Sequence, residues 1–154
     1  QNLLRERVSI RDAVSILEAL GEAGAVTRNP ILLTEYVRQA IRRMVVRPYL
    51  NAGNEIHACL IDPAMEGLIE SAVEHTETNS AVNLPPKKIH EIVERIRAVI
   101  GNAEGPVIAL TGSGSRFFLR QLTESALPNL TVLSHSEVPP GVKVVSQGVA
   151  RLNA

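Results

Sequence analysis

A glycine- and serine-rich turn is the first place in this sequence where chemistry could occur. It follows the apolar run Val107–Leu110 and precedes an amphipathic stretch, and backbone N–H groups at such a helix start can bind phosphate. Its four residues are Gly112, Ser113, Gly114 and Ser115. Phe117 stands where a dinucleotide fingerprint needs its third glycine, and Arg116 with Phe117 replaces the Lys-Ser/Thr pair of a P-loop. A phosphate- or nucleotide-binding domain is therefore the alternative interpretation, and a turn that caps a helix is the simpler one.

A serine hydrolase would need a serine beside a histidine and a carboxylate. The nucleophile motif Gly-x-Ser-x-Gly is absent. Asp62 and His135 each follow a predicted strand, so both could reach the sheet edge that carries Ser113 and Ser115, where open parallel sheets bind ligands. Spacing alone leaves a triad open, but no motif supports one. We expect no enzymatic activity.

The metal-binding residue types are scattered along the chain. The four histidines His57, His75, His90 and His135 do not pair at helical i+3 or i+4 spacing, and the chain has a single cysteine, Cys59. A structural zinc site needs a cluster of such ligands. We expect no metal or other cofactor, and Cys59 should be a small buried side chain within an apolar run.

Three acidic residues recur at a spacing of four. Glu66, Glu70 and Glu74 would lie on one side of a helix that continues through residue 74. Such a row is usually a solvated face, but it could also meet a basic partner surface.

Composition indicates an ordinary soluble globular domain. The chain has 154 residues, of which 45% are hydrophobic and 21% charged, with 16 basic and 16 acidic side chains. Zero formal net charge and 3% aromatic residues leave neither a basic surface nor stacking platforms for nucleic acid. No apolar run approaches the ~20 residues that cross a bilayer.

Residues 1–52 are predicted to form a helical subdomain. Ser9 is a suitable N-cap, and the apolar residues that follow it recur at helical spacing. The predicted inward stripe is Ile10, Ala13, Val14, Leu17 and Leu20. A second helix is predicted from Pro30, capped by Asn29, to just before Pro48.

Residues 53–154 are predicted to form an α/β subdomain with a small mixed sheet. The element order is β-α-α-β-α-β-β, and residues 75–82 are predicted to be a loop. The predicted strands are Ile56–Ile61, Val107–Leu110, Leu130–Leu133 and Val142–Val149. Helical crossovers should make the first three strands largely parallel, and the last strand should pair as a hairpin at one edge.

Several blocks resemble the flagellar and injectisome export-gate family, FHIPEP. The specific ones are Leu4–Asp12, Ile16–Leu20 and Leu32–Arg38, and weaker matches run through Leu60–Pro63 to Gly148–Val149. Signature residues, whose role by resemblance is structural or docking, are Arg5, Glu6, Arg7, Ser9, Arg11, Asp12, Glu35, Tyr36, Arg38, Asp62, Pro63 and Arg116. Exposed ion pairs could join the two helices, at about 0–1 kcal/mol each, between Arg5, Arg7, Arg11 or Arg38 and Glu6, Asp12 or Glu35.

The resemblance implies a non-enzymatic scaffold. The full protein would carry transmembrane helices upstream, and its cytoplasmic domains would form a nonameric ring at the cytoplasmic face of the bacterial inner membrane. That ring would dock export chaperone–cargo complexes, the export ATPase complex and other gate components. This chain would be a piece of that domain and would touch the membrane only through the missing part. The motifs Leu60–Pro63 and Thr34–Glu35 favour a flagellar system over a virulence system.

Overall fold

The computed structural model describes residues 13–101 and 106–152. Within these residues the α-helices are α1 Ala13–Gly24, α2 Pro30–Ala40, α3 Arg42–Val46, α4 Pro63–Ser71, α5 Pro86–Ile100 and α6 Arg116–Thr123. The strands are β1 Glu55–Ile61, β2 Val73–His75, β3 Ser80–Val82, β4 Val107–Thr111, β5 Leu130–Ser134 and β6 Lys143–Ala150. Short 3-10 helices cover Arg47–Tyr49 and His135–Glu137. None of the helices described combines the length and apolar character needed to span a membrane.

Local signals set the starts of two helices. The Asn29 side chain accepts hydrogen bonds from the backbone N–H groups of Ile31 (3.0 Å) and Leu32 (3.4 Å), and Pro30 opens α2. Asp62 caps α4 in the same way before Pro63. A capping side chain followed by proline predicts both helix starts, at Asn29–Pro30 and at Asp62–Pro63, because capping depends only on neighbours along the chain.

The main sheet has four parallel strands in the order β5-β4-β1-β6. The α/β class and the parallel arrangement of the first three strands are confirmed. The prediction of a closing hairpin is wrong, because β6 pairs parallel with β1 at the opposite edge from β5. Residues 135–142, which begin with the 3-10 helix His135–Glu137, carry the chain from the end of β5 to the start of β6.

An antiparallel hairpin replaces the predicted loop after residue 75. Strands β2 and β3 pair Val73 with Val82 and His75 with Ser80. The predicted continuation of α4 through Val73 is also wrong, because the helix ends at Ser71. Three-residue strands carry too little alternation of apolar and polar residues to be predicted from sequence.

Helices cover both faces of the parallel sheet. On one face Cys59, Ala109 and Val132 pack against α4, α5 and α6. On the other face Ile56, Leu110 and Leu133 and their neighbours share a buried cluster with residues of α1, α2 and α3. The predicted division at residue 52 stays a prediction, and the described residues on either side of it share this cluster.

Helix α1 presents a different face to the core from the one predicted. Ile16, Ala19 and Ala23 are buried, whereas Val14 and Leu17 are each 66% exposed. The small side chains of Ala19 and Ala23 allow α1 to approach α2 closely. The helix has two apolar faces, and periodicity alone cannot show which of them packs against the core. For α5 the sequence predicts an inward stripe at helical spacing, formed by Ile89, Ile92, Val93, Ile96, Val99 and Ile100. Its central residues Ile92, Val93 and Ile96 are buried, as predicted.

Candidate functional site

Four charged side chains meet between α2, α6 and the 3-10 helix His135–Glu137. We call Glu35, Arg38, Arg116 and Glu137 the buried charge cluster. Helix α2 supplies Glu35 and Arg38, which are three residues apart and so lie on one face of the helix. Arg116 begins α6 and Glu137 ends the 3-10 helix. The cluster thus joins α2 to the segments that follow the carboxyl ends of β4 and β5.

Each arginine of the cluster binds a carboxylate through two nitrogens. Arg116 Nε and Nη2 donate to the two Glu35 oxygens at 2.5 and 2.7 Å, and Nη1 donates to the Val132 carbonyl at 3.2 Å. Arg38 Nε and Nη2 donate to Glu137 at 2.5 and 3.3 Å. Glu137 also accepts from the Ser134 backbone N–H at 2.9 Å. Bidentate pairs of this kind fix geometry as well as charge.

Burial dominates the electrostatics of the cluster. It raises the pKa of Glu35, the hydrogen bond and charge of Arg116 oppose that shift, and the charge of Glu137 adds to it. Arg116 has no solvent exposure, and Arg38 and Glu137 have 2% and 1%. A paired, desolvated acid of this kind is a poor general base, so the arrangement is suited to holding elements together.

The Gly112–Ser115 turn is occupied by a carboxylate from α4. Glu66 Oε1 accepts hydrogen bonds from the Gly112 N–H (2.9 Å) and the Thr111 hydroxyl (3.2 Å). A Cβ atom on Gly114 would lie 2.9 Å from Glu70 Oε1. Two acids against this turn repel an anion, and one of them already takes a donor that a phosphate would use. This geometry argues against the phosphate-binding alternative.

The predicted row of acids does not form on one helix. Glu66 and Glu70 lie on α4, but Glu74 lies on β2 because the helix ends at Ser71. Glu66 is engaged by the turn, whereas Glu70 and Glu74 are exposed. A partner-facing role for these acids stays a prediction.

The residues considered for a triad reach one sheet edge without meeting. The Ser115 hydroxyl contacts Thr111 Oγ1 at 2.7 Å and the Gly112 carbonyl at 3.1 Å. In the part of the chain that the structure describes, His135 forms no hydrogen bond with Ser113, Ser115 or Asp62. Burial raises the pKa of the Cys59 thiol to about 11, so this sulfur is not an activated nucleophile. Across residues 13–101 and 106–152, no three His, Cys, Asp or Glu side chains group as metal ligands would.

The sequence model described as the FHIPEP family matches residues 1–143. The chain belongs to the FHIPEP family. It is 32% identical to "Low calcium response locus protein D" of Yersinia pestis over 151 residues, which is 96% of this chain and 21% of the relative. It is 33% identical to "Flagellar biosynthesis protein FlhA" of Bacillus subtilis over 153 residues, or 96% of this chain and 22% of the relative. The chain thus spans about a fifth of the length of these curated relatives.

Several solved structures share the fold of this chain. The Chlamydia pneumoniae CdsV protein superposes with a TM-score of 0.91 at 29% identity, over 97% of this chain and 44% of that one. CdsV in its complex with CdsO gives 0.88 at 29% identity, with coverage of 97% and 44%. The nonameric EPEC SctV-C gives 0.86 at 28% identity, with coverage of 96% and 45%.

The residues predicted to form the family signature take several structural roles. Glu35, Arg38 and Arg116 form the buried charge cluster, and Asp62 with Pro63 starts α4. The expectation of exposed pairs between the first two helices is wrong for Arg38 and Glu35, which are buried or nearly so and pair across the fold. Tyr36 is 41% exposed. Six signature residues lie outside the described part: Arg5, Glu6, Arg7, Ser9, Arg11 and Asp12.

An exposed apolar face lies on α1 of this FHIPEP chain. Val14, Leu17 and Leu20 are three residues apart, so they lie along one side of the helix. Their exposed fractions are 66%, 66% and 41%. We call these three residues the α1 apolar face. Contiguous exposed apolar residues mark interaction surfaces more often than isolated ones do.

Two structural residues were missed in the sequence. Glu137 is not among the predicted signature residues, yet it is the second acid of the charge cluster. Asn29 was predicted as a cap, but its side-chain N–H₂ also donates to Ser80 Oγ (2.7 Å) and the Thr76 carbonyl (3.2 Å), which ties α2 to the hairpin. A Ser-x-x-Glu capping box at Ser134–Glu137 was the one local signal available.

Proposed function

We propose that this chain is a non-enzymatic part of the cytoplasmic ring of a type III protein-export gate. Its surfaces contact neighbouring copies and dock proteins on their way to export, including chaperone–cargo complexes and the export ATPase complex. Membership of the FHIPEP family and the likeness to the nonameric SctV-C support a ring, and the CdsV–CdsO complex supports protein partners. The rest of the protein would hold this piece at the cytoplasmic face of the inner membrane.

The observation that carries the proposal is the α1 apolar face. A helix of a water-soluble monomer normally buries its larger apolar residues, but α1 buries two alanines and Ile16 and exposes Val14 and Leu17. Covering these side chains by a second copy would remove apolar area from water, which stabilises the contact by about 25 cal/mol per Å². The relative described as nonameric supplies the mode of assembly.

The flagellar assignment is the finer part of the proposal. It depends on Leu60–Pro63 and Thr34–Glu35. Relatives from a flagellar system and from another system match at 33% and 32% identity, so overall similarity does not separate the two. The genes that neighbour the parent gene test this assignment directly.

Ring formation by the whole cytoplasmic region tests the proposal. We expect the wild-type region to assemble into rings of nine in mass photometry, as the relative SctV-C does. Leu17→Asp should shift it towards monomers, because assembly would then bury an unpaired carboxylate. Its circular dichroism should not change, because Leu17 lies outside the core. Glu18→Ala, an exposed neighbour on the same helix, is the control and should leave rings intact. Rings that persist in Leu17→Asp would contradict the proposal.

Nucleotide titration tests the alternative function. A ligand at a hundred times its dissociation constant would stabilise the fold by about 2.7 kcal/mol and raise the melting temperature. With Glu66 bonded to the Gly112 N–H, we expect no shift with ATP, GTP or inorganic phosphate. A shift that Ser113→Ala abolishes would favour the ligand site instead.

A further inference from the structure

The outer edge of β6 is a free strand edge. Strand β6 pairs with β1 on one side, and no strand of the described residues pairs with it on the other. The Lys143 N–H donates inward to the Asn54 carbonyl at 3.2 Å. Because alternate residues of a strand direct their backbone groups to opposite sides, Val144 and Ser146 direct theirs outward. Two residues thus offer N–H and C=O groups to a further strand.

A groove lies beside this edge, on the side of the sheet that carries α2 and α3. It is an open groove of about 560 Å³ between the end of α2 and the connection from β5 to β6. Its lining includes Arg42, His135, Val138, Pro139, Val142 and Val144. Val144 is 39% exposed and is in register with the buried Ile56. It therefore lies on the face of the sheet that packs against α1, α2 and α3. The groove therefore places the side chains of Val142 and Val144 beside a strand edge.

The groove is lined by basic side chains and by no acidic ones. Its lining holds Arg42 and His135 and contains no aspartate or glutamate. Arg42 is exposed and forms no ion pair within the described part of the chain. An acidic side chain that entered the groove would meet a cation without displacing an existing partner.

We propose that the outer edge of β6 binds an extended acidic segment of a protein partner, which adds to the sheet as a fifth strand. Its backbone pairs with Val144 and Ser146, an apolar side chain enters the groove against Val142 and Val144, and a carboxylate reaches Arg42. Strand addition of this kind takes affinity from main-chain hydrogen bonds and specificity from the pockets beside the edge. This site rests on the proposed docking function and assigns it a position and a partner chemistry.

The strand itself limits the length of the segment. Cys59 pairs with Gly148 and Ala58 with Ser146, so Gln147 is an extra residue that forms a bulge. Gly148 follows with φ +139°. Bulges interrupt edge pairing, which confines the site to residues 143–146 and keeps the edge from joining long strands indiscriminately.

A designed peptide and amide NMR test this site on the 154-residue chain. The probe is a nine-residue threonine-rich peptide with valine and aspartate two positions apart, so that both side chains enter the groove. We expect the amide signals of Val144 and Ser146 to shift during titration to about 1 mM peptide. Ser146→Pro removes one outward N–H, which edge strands tolerate, and with it the amide signal of residue 146; it should abolish the shift at Val144. Ser146→Ala keeps that N–H and should bind the peptide as the wild type does.

Charge reversal gives a second test that does not touch the strand. Arg42→Glu should weaken binding of the peptide about tenfold, because like charges then meet in the groove. Arg43→Glu, an exposed neighbour that does not line the groove, should change it little. Absent shifts at Val144 and Ser146, or equal binding by Arg42→Glu and Arg43→Glu, would overturn the site. Rings of nine that still form in Ser146→Pro would then show that the ring function stands without it.

Discussion

Arg116 and Glu35 place opposite charges where almost no water reaches them. Removing two charges from water costs several kcal/mol for each ion, and only good geometry returns that energy. Here the guanidinium binds both carboxylate oxygens and also donates to the Val132 carbonyl. The pair stabilises the fold little more than an apolar contact of the same size would, but removing one partner lowers the free energy of unfolding strongly. We infer that it fixes the position of α2 on the sheet.

Breaking this pair should be much more costly than breaking a surface pair. Arg116→Met leaves Glu35 buried without its partner, so the free energy of unfolding should fall by roughly 3–5 kcal/mol at neutral pH. Arg97→Ala removes an exposed pair with Glu94 and should cost at most about 1 kcal/mol. Urea unfolding of both variants measures the difference. A loss below about 1 kcal/mol for Arg116→Met would show that the cluster does not hold the layers together.

The loss should also depend on pH. Burial already raises the pKa of Glu35 above 4.5, and Arg116 opposes that shift. Without Arg116 the folded-state pKa rises further, so the folded variant binds more protons than the unfolded chain above pH 4.5. Its stability must then fall as the pH rises towards that folded-state pKa. We expect Arg116→Met to lose less stability near pH 5 than near pH 8. An equal loss at both pH values would contradict this assignment.

At the scale of elements, β6 comes very close to α5 at Gly148. A Cβ atom on Gly148 would lie 2.8 Å from Val99 Cγ1, and the φ of Gly148 is +139°. A side chain there forces both a strained backbone and a clash, and the bulge that ends regular pairing depends on this residue. The two-layer packing of the sheet edge therefore has one position that only glycine fits.

Substitution of this glycine should be strongly destabilising. For Gly148→Ala we expect a loss of about 2–5 kcal/mol, the sum of backbone strain and overpacking. Gly67→Ala on α4 is the matched control, because nothing lies within 4 Å of its added Cβ. That control should be neutral or stabilising by up to about 1 kcal/mol. Thermal unfolding of both variants decides the point, and a Gly148→Ala protein as stable as Gly67→Ala would show that the bulge tolerates a side chain.

At the scale of the whole molecule, the features predicted correctly from the sequence are those that depend on residues close together in the chain. The caps at Asn29 and Asp62, the stripe of α5 and the three apolar strands were predictable because each depends on a few consecutive residues. The return path of β6, the outward side of α1 and the pairing of Glu35 with Arg116 were not. The two members of that pair are 81 residues apart, and only packing of both layers brings them together.

The same limit applies to the candidate site. Glycines and serines at 112–115 were a visible pattern, but the carboxylate that occupies the turn comes from Glu66, 46 residues earlier in the chain. The groove beside β6 was invisible in the sequence, because it exists only where one layer ends before the other. A surface that forms where one layer of the fold extends beyond another can be located only in the three-dimensional structure.

Protein export from cells that carry the full-length gene tests the scaffold proposal most directly. Leu17→Asp disturbs the α1 apolar face. The pair Ser113→Ala with Ser115→Ala disturbs the glycine- and serine-rich turn, at a cost of about 1–3 kcal/mol because the buried Ser115 hydroxyl loses its bonds to Thr111 and the Gly112 carbonyl. A docking and ring-building scaffold predicts that export of a secreted substrate into the medium is lost in Leu17→Asp and kept in the serine pair. Normal export by Leu17→Asp, together with lost export by a folded serine-pair variant, would contradict it and point to a ligand site at the turn.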